Sequence, residues 1–185
     1  MNDYDFILKF DLPEKDADPE QFVDALYEAG CDDASVGLGQ TGRIALNFIR
    51  QSNSAFDAIS SAIIDVKKAI PGATLIEATP DLVGLTDIAD ILGFSRQNMR
   101  KIAVNNKSAF PTPIHEGSVA LWHLFKVLNW FKASKSYEIN ESLIEVSGAN
   151  MHVNFVSQMR DIDPKLQRSL QSIVVLPSIA TRHLS

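Results

Sequence analysis

The side chains best suited to recognition chemistry stand together in "SRQNMRKIAVNNK", residues 95–107. Arginine can make two parallel hydrogen bonds to guanine, and glutamine or asparagine can do the same to adenine. Arg96, Gln97, Asn98, Arg100 and Lys101 all fall in this run, and Lys107 follows it. Met99, Ile102 and Ala103 recur at three- and four-residue steps, which gives a helix an inward stripe and turns the polar donors outward. Such a face suits the edges of base pairs in double-stranded DNA. It offers no nucleophile and no acid–base pair.

Elsewhere the constellations of catalysis fail. Gly37, Gly39 and Gly42 in "GLGQTG" have the G-x-G-x-x-G spacing. A dinucleotide site needs that motif between a strand and a helix whose free N–H groups meet the pyrophosphate. Here "RIALNFIR" follows, which alternates as a strand does, so the glycines are read as hairpin-turn residues. Cys31 has acidic neighbours that disfavour a thiolate, which implies a buried or inert thiol. Being single, it cannot pair within the chain, and this fits a reducing compartment. His115, His123, His152 and His183 stand in no metal-binding spacing. His115 and His123 are read as surface residues near the basic segment, within reach of phosphate. Asp32 and Asp33 are adjacent, so they share no helix face and read as a solvated turn. The expectation is a protein that is not an enzyme and needs no metal or cofactor.

The donors at 96–101 need a scaffold. "LTDIADILGF" supplies a preceding helix, with Thr86 as its cap, Ile88, Ile91 and Leu92 inward, and Gly93 allowing a sharp turn anchored by Phe94. Ser95 caps the second helix. Ala89 is small where that helix must pass close by. An alanine, a glycine four residues later and an apolar anchor beyond it are what a helix-turn-helix requires, with the second helix lying in the major groove. "AFPTPIHEGSVALW" then reads as a short extended hairpin. "HLFKVLNWFKA" is helical, with Phe125, Leu128 and Phe131 or Val127 and Trp130 as alternative buried stripes.

Upstream, the pattern is β-α-β-β-α-β. "YDFILKFDL" is a strand. "DPEQFVDALYEAG" is a helix capped by Asp18, with Pro19 at its first position and Gly30 closing it. "ASVGLG" and "RIALNFIRQ" are strands. "SNSAFDAISSAIIDVKKAIPG" is a helix with Phe56, Ile59, Ile63, Val66 and Ile70 along one face, and "ATLIEA" is the last strand. That order predicts a ferredoxin-like antiparallel sheet covered on one face by two helices. "TPDL", residues 79–82, reads as a linker. Downstream, Phe155, Met159, Ile162, Leu166, Leu170 and Ile173 form a helical stripe across Asp163–Pro164, longer than one small module should need.

Charge divides the chain in the same places. Residues 1–81 carry 6 Lys+Arg against 15 Asp+Glu, residues 82–135 carry 7 against 3, and residues 136–185 carry 4 against 5. One basic segment in a chain of net charge −6 points to a polyanion-facing module joined to something else. The predicted organisation is an α+β protein: a ferredoxin-like domain at 1–79, a winged helix-turn-helix at 80–135, and a C-terminal helical extension at 136–185 whose apolar stripe is either an oligomerisation surface or a packed internal core. No stretch of ~18 apolar residues occurs, and the start lacks a signal peptide's basic flank, so no membrane and a cytoplasmic, nucleoid-associated location are expected.

The run from Ser95 through "FPTPI", the turn around Gly117, Trp122 and the apolar helix ending in Trp130 resembles the MerR-like and excisionase-like winged helix-turn-helix families. The likeness covers about a quarter to a third of the chain. It implies that helix 95–106 reads DNA, that a wing follows, and that Lys107, Thr112 and His115 are wing-side contacts; Trp122 and Trp130 would be core. Relatives often carry more cations in the wing, where this chain has Glu116. The acidic N-terminal part resembles domains joined to such modules in uncharacterised bacterial regulators, which implies regulation rather than chemistry. The leading expectation is a sequence-specific regulator of double-stranded DNA, a homodimeric repressor. An antitoxin or anti-repressor that binds a partner protein and autoregulates its operon is a second reading. A small-molecule sensor using the N-terminal domain, with Arg43 as its one polar group of note, is a third.

Overall fold

A computed structural model describes residues 1–37, 40–134 and 137–174. Strand β1 (Asn2–Asp11) places Tyr4, Phe6, Leu8 and Phe10 on one face by the two-residue alternation of a strand, and all four are buried. β3 (Arg43–Ser52) does the same with Ile44, Leu46, Phe48 and Arg50. The two strands pair antiparallel along their length, with Phe6 opposite Phe48 and their rings stacked 5.3 Å apart. β2 (Ala34–Gly37) joins the far side of β3, and β4 (Thr74–Thr79) joins β1, giving an antiparallel sheet in the order β2-β3-β1-β4.

A short 3-10 turn (Pro19–Phe22) and helix α1 (Val23–Glu28) fill the first helical position, with the Asp18 side chain accepting from the Glu20 N–H. Of the described glycines in the motif, Gly42 stands in the turn before β3 as expected, whereas Gly37 is the last residue of β2, paired with Ala45. Gly42 has φ +74°, and a Cβ there would collide with the carbonyl oxygen of Lys15. Leu38 and Gly39 lie outside the described residues. Helix α2 (Ala55–Ala69) is capped by Ser54 and buries Ala55, Ala58, Ile59, Ala62 and Val66. The predicted stripe is rotated: Phe56 is 63% exposed. Small alanines allow α2 to lie close on the sheet, and that outweighs burying one large ring.

The second half begins at the linker, which is no loose tether. Thr79–Pro80 is a cis peptide and Asp81 is 2% exposed. β5 (Leu82–Val83) pairs with β6 (Trp122–His123), and between them lie α3 (Leu85–Leu92) and α4 (Arg96–Asn105). Helix α5 (Leu124–Ala133) buries Leu124, Val127, Leu128 and Phe131, a stripe that mixes the two alternatives of the sequence. These side chains, with Val83, Ile88, Ala89, Met99, Phe110 and Trp122, form a second apolar cluster distinct from that of the sheet.

Helix α6 (Glu141–Gln158) corrects the view of residues 136–185 as a mere appendage. Ile144 enters the second cluster and Val146 enters the sheet cluster, so α6 is wedged between them. Ser147, Asn150 and Asn154 are also buried on α6, and the end of the helix meets an edge strand. Asn154 accepts from the Ala78 N–H (2.7 Å) and donates to the Ala78 carbonyl (2.8 Å), and Ser157 and Arg160 donate to the Leu75 carbonyl. Backbone groups of β4 at Leu75 and Ala78 are thereby satisfied by side chains, which covers an edge that would otherwise be open for pairing there. Helix α7 (Pro164–Val174) follows with no buried residue. Among the described residues no helix is long and apolar enough to cross a membrane.

Candidate nucleic-acid interface

Helix α3 starts because Gly84 is extended and the Asp87 carboxylate accepts from its N–H at 2.8 Å. Thr86 is therefore not the cap: it lies inside the first turn, half-buried. The helix ends at Gly93 (φ +69°, ψ +27°), a left-handed conformation that L side chains rarely adopt. The Phe94 N–H then bonds to the Ala89 carbonyl at 2.7 Å, which folds the chain back. Ser95 is extended and its Oγ accepts from the Asn98 N–H at 3.2 Å, capping α4.

Met99 is fully buried and Ile102 and Ala103 partly so. Anchored there, α4 presents Arg96, Gln97, Asn98, Arg100 and Lys101 as exposed side chains. Among the described residues none of these five side chains makes an ion pair or a hydrogen bond. At 100° per residue, Gln97, Lys101 and Val104 share the centre of the outer face, with Arg100 on one shoulder and Asn98 and Asn105 on the other. Val104 was not among the expected contacts. It is 65% exposed, and its place seven residues after Gln97 is a helical-spacing signal legible in the chain. An outward apolar side chain is the partner type for a thymine methyl group. The first turn of α4 holds no acidic residue, so its free N–H groups keep their positive end unopposed.

The remaining expected contacts sit on other segments. Lys107 is exposed in the turn after α4. Thr112 and His115 are exposed on the stretch leading to a tight hairpin, in which Leu121 N–H bonds to the His115 carbonyl at 3.0 Å and Ile114 N–H to the Leu121 carbonyl at 2.8 Å. The structure gathers five candidate residues and their cap, Ser95, on one helix, and leaves Thr86 half-buried on another. Trp122 and Trp130 are core or near-core: Trp122 donates Nε1–H to the Pro111 carbonyl, and both rings meet Phe110 edge-on.

Two polar clusters escaped sequence reasoning. His123 is no surface histidine. Its Nδ1 lies 2.7 Å from Asp81 Oδ1, while Asp81 Oδ2 accepts from Asn154. Nor is Asp33 a solvated turn. Arg50 donates to both its oxygens, to Asp65, to Ser61 and to the Gly30 carbonyl. Burial works against the Arg50 charge, but the two carboxylates outweigh it and hold the guanidinium pKa above its ordinary value. The signal was in the alternation: Arg50 stands in the core-facing register of Ile44, Leu46 and Phe48. Arg43 pairs at the surface with Asp11. Cys31 is buried, and desolvation first, then the Asp65 carboxylate, push its thiol up to about 11. His152 rests on the Gly148 carbonyl, and His183 lies outside the described residues. Comparison of the chain with protein-family models, with curated proteins and with solved structures gives no match in any of the three.

Proposed function

We propose that the chain is a sequence-specific regulator that binds double-stranded DNA through α4 in the major groove, and that it acts as a homodimeric repressor. In this reading residues 80–135 are a winged helix-turn-helix of the MerR-like kind. The sheet, in its β2-β3-β1-β4 order with helices on one face, is a ferredoxin-like domain. The observation that carries the reading is the row of unpaired donors from Arg96 to Lys101 on a helix braced from behind by Met99. The αL turn at Gly93 and the capped, acid-free start of α4 support it. A protein that only occupies its site represses by exclusion, which needs no second chemistry.

One recognition helix covers few base pairs, so useful discrimination calls for two copies. The stripe Ile162, Leu166, Leu170 and Ile173 is 42–71% exposed, and it suits the dimer surface.

The test is selection of bound fragments from genomic DNA, then gel shift and footprinting on the selected site. Arg96→Ala or Arg100→Ala should lower specific affinity by about 1–3 kcal/mol, or roughly 5- to 150-fold. Lys107→Ala should instead reduce the salt dependence by about one counterion. Unchanged affinity in both arginine variants would overturn the assignment.

A further inference from the structure

Val104 is 65% exposed on the last turn of α4. Around it on the outer face stand Gln97, Arg100 and Lys101, all exposed, and the exposed Lys107 follows in the turn beyond the helix. No acidic residue stands between Asp90 and Glu116. The contact with the second apolar cluster is made by Met99, Ile102 and Ala103, and Val104 belongs to neither cluster. Valine is also a poorer helix former than alanine, because its branched side chain loses freedom against the preceding turn. Neither packing nor helix propensity accounts for a valine at this position.

The face around it narrows what the side chain can meet. Phosphate oxygens and the polar edges of bases gain nothing from valine, since an apolar group that covers them leaves them unpaired. The major groove of DNA exposes one apolar group, the 5-methyl of thymine. Along the axis of α4, Val104 lies about 10 Å from Gln97 and about 6 Å from Arg100. At about 3.4 Å per base pair these separations are about three and two steps.

We propose that Val104 packs on a thymine methyl group in the major groove and thereby fixes one T·A pair in each half-site. This rests on the DNA-binding reading given above, and adds to it a residue that selects by apolar contact rather than by hydrogen bonding. Arg100 and Lys101 attract the duplex, and Val104 sets a preference at one position.

The experiment uses the full chain and the preferred duplex recovered by selection from random DNA. Each thymine of that duplex is replaced in turn by deoxyuridine, which lacks only the methyl group and pairs in the same way. The wild-type protein is expected to lose about 3- to 5-fold in affinity at one thymine per half-site, the worth of one buried methyl-sized contact. Val104→Ala should bind the thymine and uracil duplexes equally at that position, with the affinity that the wild type has for uracil. Alanine favours the helix, so the variant should fold, and circular dichroism checks this. The sensitive thymine should lie within about three base pairs of the position at which Gln97→Ala relaxes the selected sequence. A uracil effect of the same size in Val104→Ala overturns the role of Val104 and leaves the DNA reading standing. So does a duplex bound with sequence preference in which no thymine is sensitive. Binding to no preferred duplex, with binding to anionic phospholipid vesicles in its place, removes both.

Discussion

Asn154→Leu should be the most damaging single change on α6. The amide makes three bonds from a site that is 6% exposed: one from the Ala78 N–H, one to the Ala78 carbonyl and one to Asp81. Leucine shares the branching of asparagine at Cγ but is larger, so any crowding adds to the loss of the polar contacts. The loss then falls on two orphaned backbone groups at a fully buried residue and on a carboxylate left with His123 alone. Each unsatisfied buried group costs about 1–3 kcal/mol, so the loss should be about 3–5 kcal/mol, a large share of a typical domain's stability. Urea unfolding followed by far-ultraviolet circular dichroism measures it. Asn154→Asp provides the discriminating control. It keeps an acceptor for Ala78 but sets a second carboxylate against Asp81, so it should be less stable than the wild type at pH 7 and should recover as acid protonates the pair. A loss below about 1 kcal/mol for Asn154→Leu, or an Asn154→Asp protein no less stable than wild type, would refute the claim that this amide secures the edge strand.

Arg50→Met should cost about 2–4 kcal/mol in the same unfolding assay. It leaves Asp33 and Asp65 without their cation, and their side chains are still about a quarter exposed, which softens the penalty of an orphaned buried charge. Adding Asp33→Asn and Asp65→Asn to Arg50→Met should return part of that loss, and a triple variant no better than the single one would speak against the network. Cys31 should react with a disulfide reagent at pH 8 about 100-fold more slowly in the native chain than after unfolding in urea, since its thiol is raised to about 11 from an ordinary 9.0. Because the folded value is the higher one, the thiol's contribution to stability is complete below pH 9 and fades as pH climbs through 11; Cys31→Ala should remove that part of the alkaline slope.

What could be read from the chain follows from how many faces each element buries. β1 and β3 bury one face each, so their alternation is plain. α3 and α4 bury one stripe each, and their boundaries and caps were close, with Asp87 and Gly84 replacing Thr86 at one end. α6 was misread because it is enclosed on two sides and uses Ser147, Asn150 and Asn154 inside. Its apolar residues at Phe155 and Val156 face outward instead, at 67% and 65% exposure. No periodic stripe survives in a helix that serves two cores and a strand edge. The buried Asp81 was hidden for a related reason: a Thr-Pro-Asp sequence has the composition of a loop, and only its distant partners His123 and Asn154 make it interior. The exposed polar face of α4 was legible because donors at helical spacing need no distant partner to define them.

The wedge formed by α6 bears on how the molecule can be divided. A cut at residue 79 or 80, where composition and charge both change, yields an upstream fragment lacking Val146 and the Asn154 clamp on β4. Stopping the chain before Glu141 strips both halves at once, since Ile144 also leaves the cluster behind Met99. Truncations at the obvious seams therefore deliver fragments with raw, sticky flanks, and the two lobes should melt together rather than in sequence.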